Sequence, residues 1–432
     1  MAILVGLALA GARAQEPAEE RGTFLARVPE GITIPTTLRE RAGRGTFYRR
    51  EALAWSADGL TVAYTGLRGE RYVPVVGSEV GEEYGFVGAP TVAGGHAVFH
   101  VARRKDEERE QHWLWIDGKT LGPEDWMDEP VVRADGQQVL VWTGPDMRFG
   151  PNAPPTGKRV LLKASARGSQ WSLARGDDWF ECGPIRFAGE HGYAAAIQQG
   201  KGWTVFRAEK RARVLVEPCE GIESFAVAPD GTLAHVRTRP EAGRAFLSAA
   251  DEPQLFLGER RVGRGHAVVS LATLDPSGKH LAYVVARDGG RTVAVGEEPT
   301  PRGVFDFVLE LAFAPGGKRL AFVAVRGGTP DPELPGWVRN GRWCVAARGV
   351  EPGAEPEERE SHLEVRDPCW DARGERLAYA ARDVDGWRVI SGETVGPPHA
   401  EVGPPVFAAD GTTLGYGSRD GDELWWRELK LR

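Results

Sequence analysis

Residues 311–325 read LAFAPGGKRLAFVAV, and residues 271–285 read LATLDPSGKHLAYVV, the same pattern one period earlier. Each is an alternating run of apolar and small residues, a Pro-x-Gly turn and a second alternating run. Alternation with a period of two marks a half-buried strand, and turn chemistry between two such runs marks an antiparallel hairpin. Proline presets φ for the first central position, and glycine supplies the positive φ that other residues resist. A strand-built unit that recurs at about 40 residues predicts a β-propeller with one unit per blade.

Hairpins of this kind begin near Leu53, Thr91, Val131, Ile185, Phe225, Leu271, Leu311, Cys369 and Val406. The expected fold is therefore all-β: a single propeller of four-stranded antiparallel blades. Nine repeat units are counted, and because the second and fourth are degraded the expectation is eight or nine blades. The segments that precede each unit, such as 81–87 and 301–308, are expected as outermost strands. The last unit, from Val406, shows three strands before the sequence ends. Residues 45–49 resemble those preceding segments and are expected to supply its fourth strand, closing the ring and removing an exposed edge. An aromatic residue is expected to open the third strand of most units, at Tyr72, Trp113, Trp171, Trp203, Phe246, Trp343, Trp387 and Trp425. Recurrence at one repeat position points to rings packed between blades rather than to a sugar-stacking stripe.

The formal net charge is −7 with no long basic block, which argues against a nucleic-acid groove. No stretch approaches the ~18 apolar residues that span a bilayer. Residues 3–10 form an apolar run, followed by Ala12-Arg13-Ala14, the small-x-small pattern of a cleaved leader, although no Lys or Arg precedes the run. The expected organisation is a signal peptide at 1–14, an N-terminal extension at 15–44 and the propeller at 45–432. The location is then periplasmic or secreted, and the molecule is expected as a monomer. Four cysteines suit an oxidising compartment. The pairings read from the repeat are Cys182 with Cys219 and Cys344 with Cys369, with buried free thiols as the alternative.

Ser56-Ala57-Asp58-Gly59, Ala228-Pro229-Asp230-Gly231, Asp275-Pro276-Ser277-Gly278 and Ala408-Ala409-Asp410-Gly411 share one turn sentence inside the hairpin. In this the chain resembles the TolB-type propellers, the periplasmic WD-like repeat family, over about nine tenths of its length after residue 14. The resemblance implies a cell-envelope scaffold that binds proteins. Two departures stand against it. Residues 16–51 do not match the small α/β domain that precedes the propeller in TolB, and the pair Trp370-Asp371 falls on a first strand rather than at the end of a third.

Two groups of residues are candidate sites. Glu51, Glu129, Glu223, Glu310 and Asp367 each lie seven or eight residues before their turn glycine, where the chain passes into an inner strand at the channel mouth. Five converging carboxylates would draw a cation, Ca²⁺ being the ion that oxygen ligands suit, or a basic peptide. Long loops between second and third strands, at 144–159 and 327–342, carry Arg148, Phe149, Trp337 and Arg339, an aromatic–arginine set suited to a protein partner. No G-x-S-x-G, H-E-x-x-H or phosphate-loop motif occurs, so the leading expectation is a non-catalytic, exported protein-interaction scaffold. A secreted glycan-active or hydrolytic enzyme using the carboxylates is the alternative, and a cation- or small-ligand-binding sensor the second.

Overall fold

The computed structural model describes residues 19–432 apart from 36–37, 43–45, 105–109, 145–158, 168–169, 180–181, 189–191, 200–201, 209–211, 215–218, 220–221, 229–231, 238–253, 263–266, 288, 298–302 and 331–337. The expected leader falls outside these residues. The turn chemistry read from the sequence is realised: Gly59, Gly278, Gly317, Gly374 and Gly411 all hold φ between 67° and 72°. In each of these turns the glycine N–H donates to the carbonyl three residues earlier, as Gly278 does to Asp275. Nine antiparallel sheets of this kind follow one another as the blades of a propeller. They span 53–80, 86–124, 126–179, 182–214, 222–262, 267–295, 307–358, 364–395 and 401–430.

The innermost strand of the blade departs from regular pairing at one recurring place. It carries an irregularity between Cys182 and Ile185, Ile222 and Ser224, Val308 and Leu311, and Arg366 and Cys369. In the second, third and ninth blades it is split there into two short pieces that pair with the same neighbour, as Phe86–Val87 and Thr91–Ala93 do with His96–Arg104. The residue just before pairing resumes is Pro90, Pro130, Pro184, Pro368 or Pro405 in five blades. A residue without an N–H is tolerated where the ladder is already broken. The segments before each hairpin are therefore the first half of the innermost strand, not outermost strands as expected. The extra residue breaks the alternation that would have joined the two halves in sequence.

This alters how the ring closes. An N-terminal strand does close it, but that strand is Glu20–Arg27, paired antiparallel with the last strand Glu423–Lys430 from Glu20 opposite Leu429 to Arg27 opposite Glu423. Residues 45–49 do not serve; Thr46–Arg50 pairs with Leu38–Ala42 as a separate hairpin. That hairpin interrupts the innermost strand of the first blade, which bridges Leu67 through Thr33 and resumes at Leu53 opposite Tyr64.

Nine apolar clusters of buried residues are found among the described residues, one between each pair of successive blades. Tyr72, Trp113, Trp203, Trp343 and Trp387 pack in them from third strands, as expected. Trp171 instead opens the fourth strand of its blade, Gln170–Trp179, and in the last blade Leu424 takes the inward place while Trp425 packs edge-on against Phe24 of the closing strand. Phe246 lies outside the described residues. The expected bridge between Cys344 and Cys369 is absent, both being free thiols. Cys344 faces the layer between the sixth and seventh blades and Cys369 the layer between the eighth and ninth, so two sheets separate their side chains. Cys219 lends its thiol to the Trp203 carbonyl at 3.4 Å, and the side chain of Cys182 lies outside the description.

At the seam between last and first blades, Trp55 lies flat over glycines; a β-carbon on Gly417 would sit 2.0 Å from the indole Cδ2. Gly417→Ala is therefore expected to lower the unfolding free energy by about 1–3 kcal/mol through overpacking. A denaturant midpoint equal to that of the parent protein would show that the seam is looser than described.

Candidate functional site: an acidic seam on the channel wall

The break in the innermost strand decides which side chains reach the channel. In the eighth blade Arg366 pairs with Ala380 and Cys369 with Ala378, leaving Asp367 and Pro368 out of the ladder. Asp367 takes φ +55°, a left-handed conformation that aspartate tolerates better than most residues. Its unpaired N–H donates instead across the blade boundary to Glu310 Oε2 at 2.9 Å. An N–H freed by the irregularity thus holds a carboxylate of the neighbouring blade.

Arg366 draws in two further blades. Its guanidinium forms an ion pair with Glu51 of the first blade, lies 3.5 Å from Asp367 Oδ2 and donates to the Val402 carbonyl of the ninth at 2.6 Å. It also stacks on Trp387, 4.1 Å from the ring centroid. Glu401, buried beside Val402, pairs with Arg419 at 3.4 Å. Glu310, Asp367, Glu401 and Glu51 therefore form one seam running through the seventh, eighth, ninth and first blades.

Burial pushes the Glu310 carboxyl up to about 7, and the Asp367 charge adds to the shift. Burial does the same to Glu401, also to about 7, reinforced by Glu51. Beside Glu310 and Asp367 opens a cavity of about 490 Å³ walled also by Leu309, Leu311, Pro368, Pro404 and Pro405. Apolar walls around one or two convergent polar groups are the usual make-up of a ligand pocket.

The expected convergence of five carboxylates is met in part. Glu51, Glu310 and Asp367 join the seam. Glu129, at the corresponding break of the third blade, lies near Arg186 of the fourth and acts on its charge. Glu223 sits at the break of the fifth blade, with its side chain outside the description. Among the described residues, no group of three or more His, Cys, Asp or Glu side chains is arranged to hold a metal ion; within the seam Arg366 occupies the position a cation would take. Arg366 and Glu401 escaped the sequence reading, which sought carboxylates at a fixed distance from the turn glycine. A signal for Glu401 was present: Glu364 with Arg382, at 2.9 Å, repeats the Glu401–Arg419 pair one blade earlier at the same spacing. Of the loop candidates, Arg148, Phe149 and Trp337 lie outside the described residues. Arg339 is exposed on Val338–Arg339, a two-residue strand that pairs with Thr329–Pro330.

No protein-family model and no curated protein sequence matches the chain. Among solved structures it is similar to TolB from Acinetobacter baumannii, at 13% identity over 77% of this chain and 79% of that one, with a TM-score of 0.32. It is also similar to the Pyrococcus horikoshii acylaminoacyl peptidase, at 11% identity over 74% of this chain and 56% of the peptidase, with a TM-score of 0.37. The Dos1 propeller aligns over 96% of this chain and 95% of its own, at 8% identity and a TM-score of 0.42. The likeness is one of propeller architecture. Among the described residues no helix is long and apolar enough to cross a membrane.

Glu310 and Glu401 hold their protons to higher pH when folded than when unfolded. The native state therefore binds more protons between about 4.5 and 7, and stability falls as pH rises through that window. Arg366→Met leaves Glu51 and Asp367 without their shared cation and is expected to lower the unfolding free energy by about 2–4 kcal/mol. The loss should be larger near pH ~8, where Glu310 and Glu401 are charged, than near pH ~5.5. Chemical denaturation of both proteins at the two pH values checks this; a loss independent of pH would contradict it.

Proposed function

We propose that the protein is an exported, non-catalytic propeller scaffold that docks a protein partner on its channel face and takes a Lys or Arg side chain of that partner into the Glu310–Asp367 cavity. The observation that carries this reading is the cavity itself, with two carboxylates set in an apolar wall. The apolar walls suit the methylene stem of a long cationic side chain and the carboxylates suit its head. Arg366 already serves Glu51 and Asp367, so Glu310, whose one hydrogen bond among the described residues comes from a backbone amide, is the carboxylate with most to gain from a cation. The apolar run at residues 3–10 with Ala12-Arg13-Ala14 after it supports export.

Hydrolysis is the second reading, favoured by one fact: a carboxyl pushed up to about 7 is suited to general acid work. The geometry weighs against it. Glycoside hydrolysis needs two carboxyl groups on opposite sides of the scissile bond, whereas Glu310 is hydrogen-bonded to the amide of Asp367 itself, which places both on one wall.

An oligo-arginine peptide, titrated calorimetrically, should bind more tightly near pH ~8 than near pH ~5.5, because Glu310 gains its charge through this range. The pair of substitutions Glu310→Gln and Asp367→Asn should weaken binding by at least about tenfold, the loss expected for a charge-assisted contact. Binding that is indifferent to both substitutions would show that the cavity does not take the cationic side chain. Turnover of chromogenic glycosides or peptides that disappears in Glu310→Gln would replace the scaffold by a hydrolase.

A further inference from the structure

We propose that the ring is closed by a pH-sensitive latch, in which the carboxylate of Glu20 on the closing strand is gripped by the imidazole of His399 and the guanidinium of Arg427 on the last blade. Glu20 Oε2 lies 3.4 Å from His399 Nε2, and both side chains are more than nine-tenths buried. Glu20 Oε1 lies 3.2 Å from Arg427 Nε. The other face of the imidazole meets a second carboxylate, with His399 Nδ1 2.9 Å from Asp420 Oδ2. Arg427 also donates to Asp420 Oδ2 and to Ser418 Oγ, each at 3.0 Å. The Tyr416 ring stands 6.0 Å from the imidazole, and in the preceding blade the backbone of Trp387 bridges His399.

The arrangement is specific to the seam. One blade earlier His362, Asp383 and Tyr379 repeat the His399, Asp420 and Tyr416 set, with His362 Nδ1 3.0 Å from Asp383. There Ile390 stands opposite Tyr379, where Arg427 stands opposite Tyr416. Among the described residues no closing strand brings a carboxylate to that earlier set, as Glu20 is brought to His399. The arginine and the acid thus occur together where a separate strand has to be recognised.

An imidazole between two carboxylates donates to both only when it is protonated; neutral, it turns a lone pair toward one of them. Burial by itself would lower the His399 pKa, but the Glu20 and Asp420 carboxylates outweigh it and the net shift is upward from 6.5. A histidine whose folded pKa is raised contributes stability that is complete below its unfolded pKa and is lost as pH rises through the folded one. The latch is therefore tight in mildly acidic conditions and loosens above 6.5. Loosening frees the edge of Glu423–Lys430, an open strand edge able to accept another strand.

Hydrogen exchange of the full chain tests this, with rates corrected for the intrinsic effect of pH. Between about pH 6 and about pH 8.5, protection of the amides of Glu20–Arg27 should fall by roughly tenfold, while Val62–Arg68 in the first blade keeps its protection. His399→Gln should give a closing strand whose protection no longer depends on pH. Glu20→Gln, which removes the gripped charge without touching the blade, should do the same and carries the test if His399→Gln does not fold. His362→Gln should leave the dependence intact. A closing strand whose protection is constant with pH in the parent protein, or whose pH dependence survives in Glu20→Gln, would overturn the latch.

Discussion

One irregularity in the innermost strand governs most of what is distinctive here. A residue that opposes nothing on the neighbouring strand breaks the two-residue alternation, re-aims the side chains on either side and leaves amides without ladder partners. A proline absorbs one of those positions in five blades. In the eighth blade the freed amide of Asp367 reaches Glu310 of the seventh, and Arg366, just before the break, reaches Glu51 and Val402. The contacts that tie these blades together are therefore made by an amide that a regular strand would have used within its own sheet, and by the side chain just before the break.

The same logic explains why the acidic seam persists. Four carboxylates close together repel one another and lose hydration, which is tolerated only when some are protonated or share a cation. Both solutions are present: Glu310 and Glu401 stay protonated to about 7, and Arg366 neutralises Glu51 and Asp367. The closing strand shows the same pattern elsewhere, with Glu20 admitted to a buried position only because His399 and Arg427 face it. The ring is assembled from apolar layers between blades, while charged contacts link the seventh, eighth, ninth and first blades and meet the closing strand.

The hairpins were legible in the sequence because the turn Pro/Asp-x-Gly and the flanking alternation are local. The count of nine units followed from them, and of the five carboxylates chosen by their distance from the turn glycine, Glu51, Glu310 and Asp367 meet in one seam. What was not legible depends on contacts across blades. The extra residue disguised the first half of each inner strand as a separate outer one, and that error carried the closing strand from Glu20–Arg27 to residues 45–49. Arg366 meeting Glu51, and Glu20 meeting His399, join opposite ends of the chain, and no spacing rule within one repeat reports them. The Cys344 and Cys369 pairing failed for a related reason: side chains on adjacent blades face different apolar layers according to strand parity.

The titration of Glu310 itself separates a buried carboxyl open to a partner's cation from an ordinary glutamate. Carboxyl ¹³C chemical shifts of the glutamate-labelled protein, with Glu310→Gln to assign the resonance, report the group without reference to any activity. A midpoint near 7 is expected in the free protein, falling toward the ordinary glutamate range when an arginine peptide is bound. A midpoint near 4.5 that the peptide does not move would contradict it.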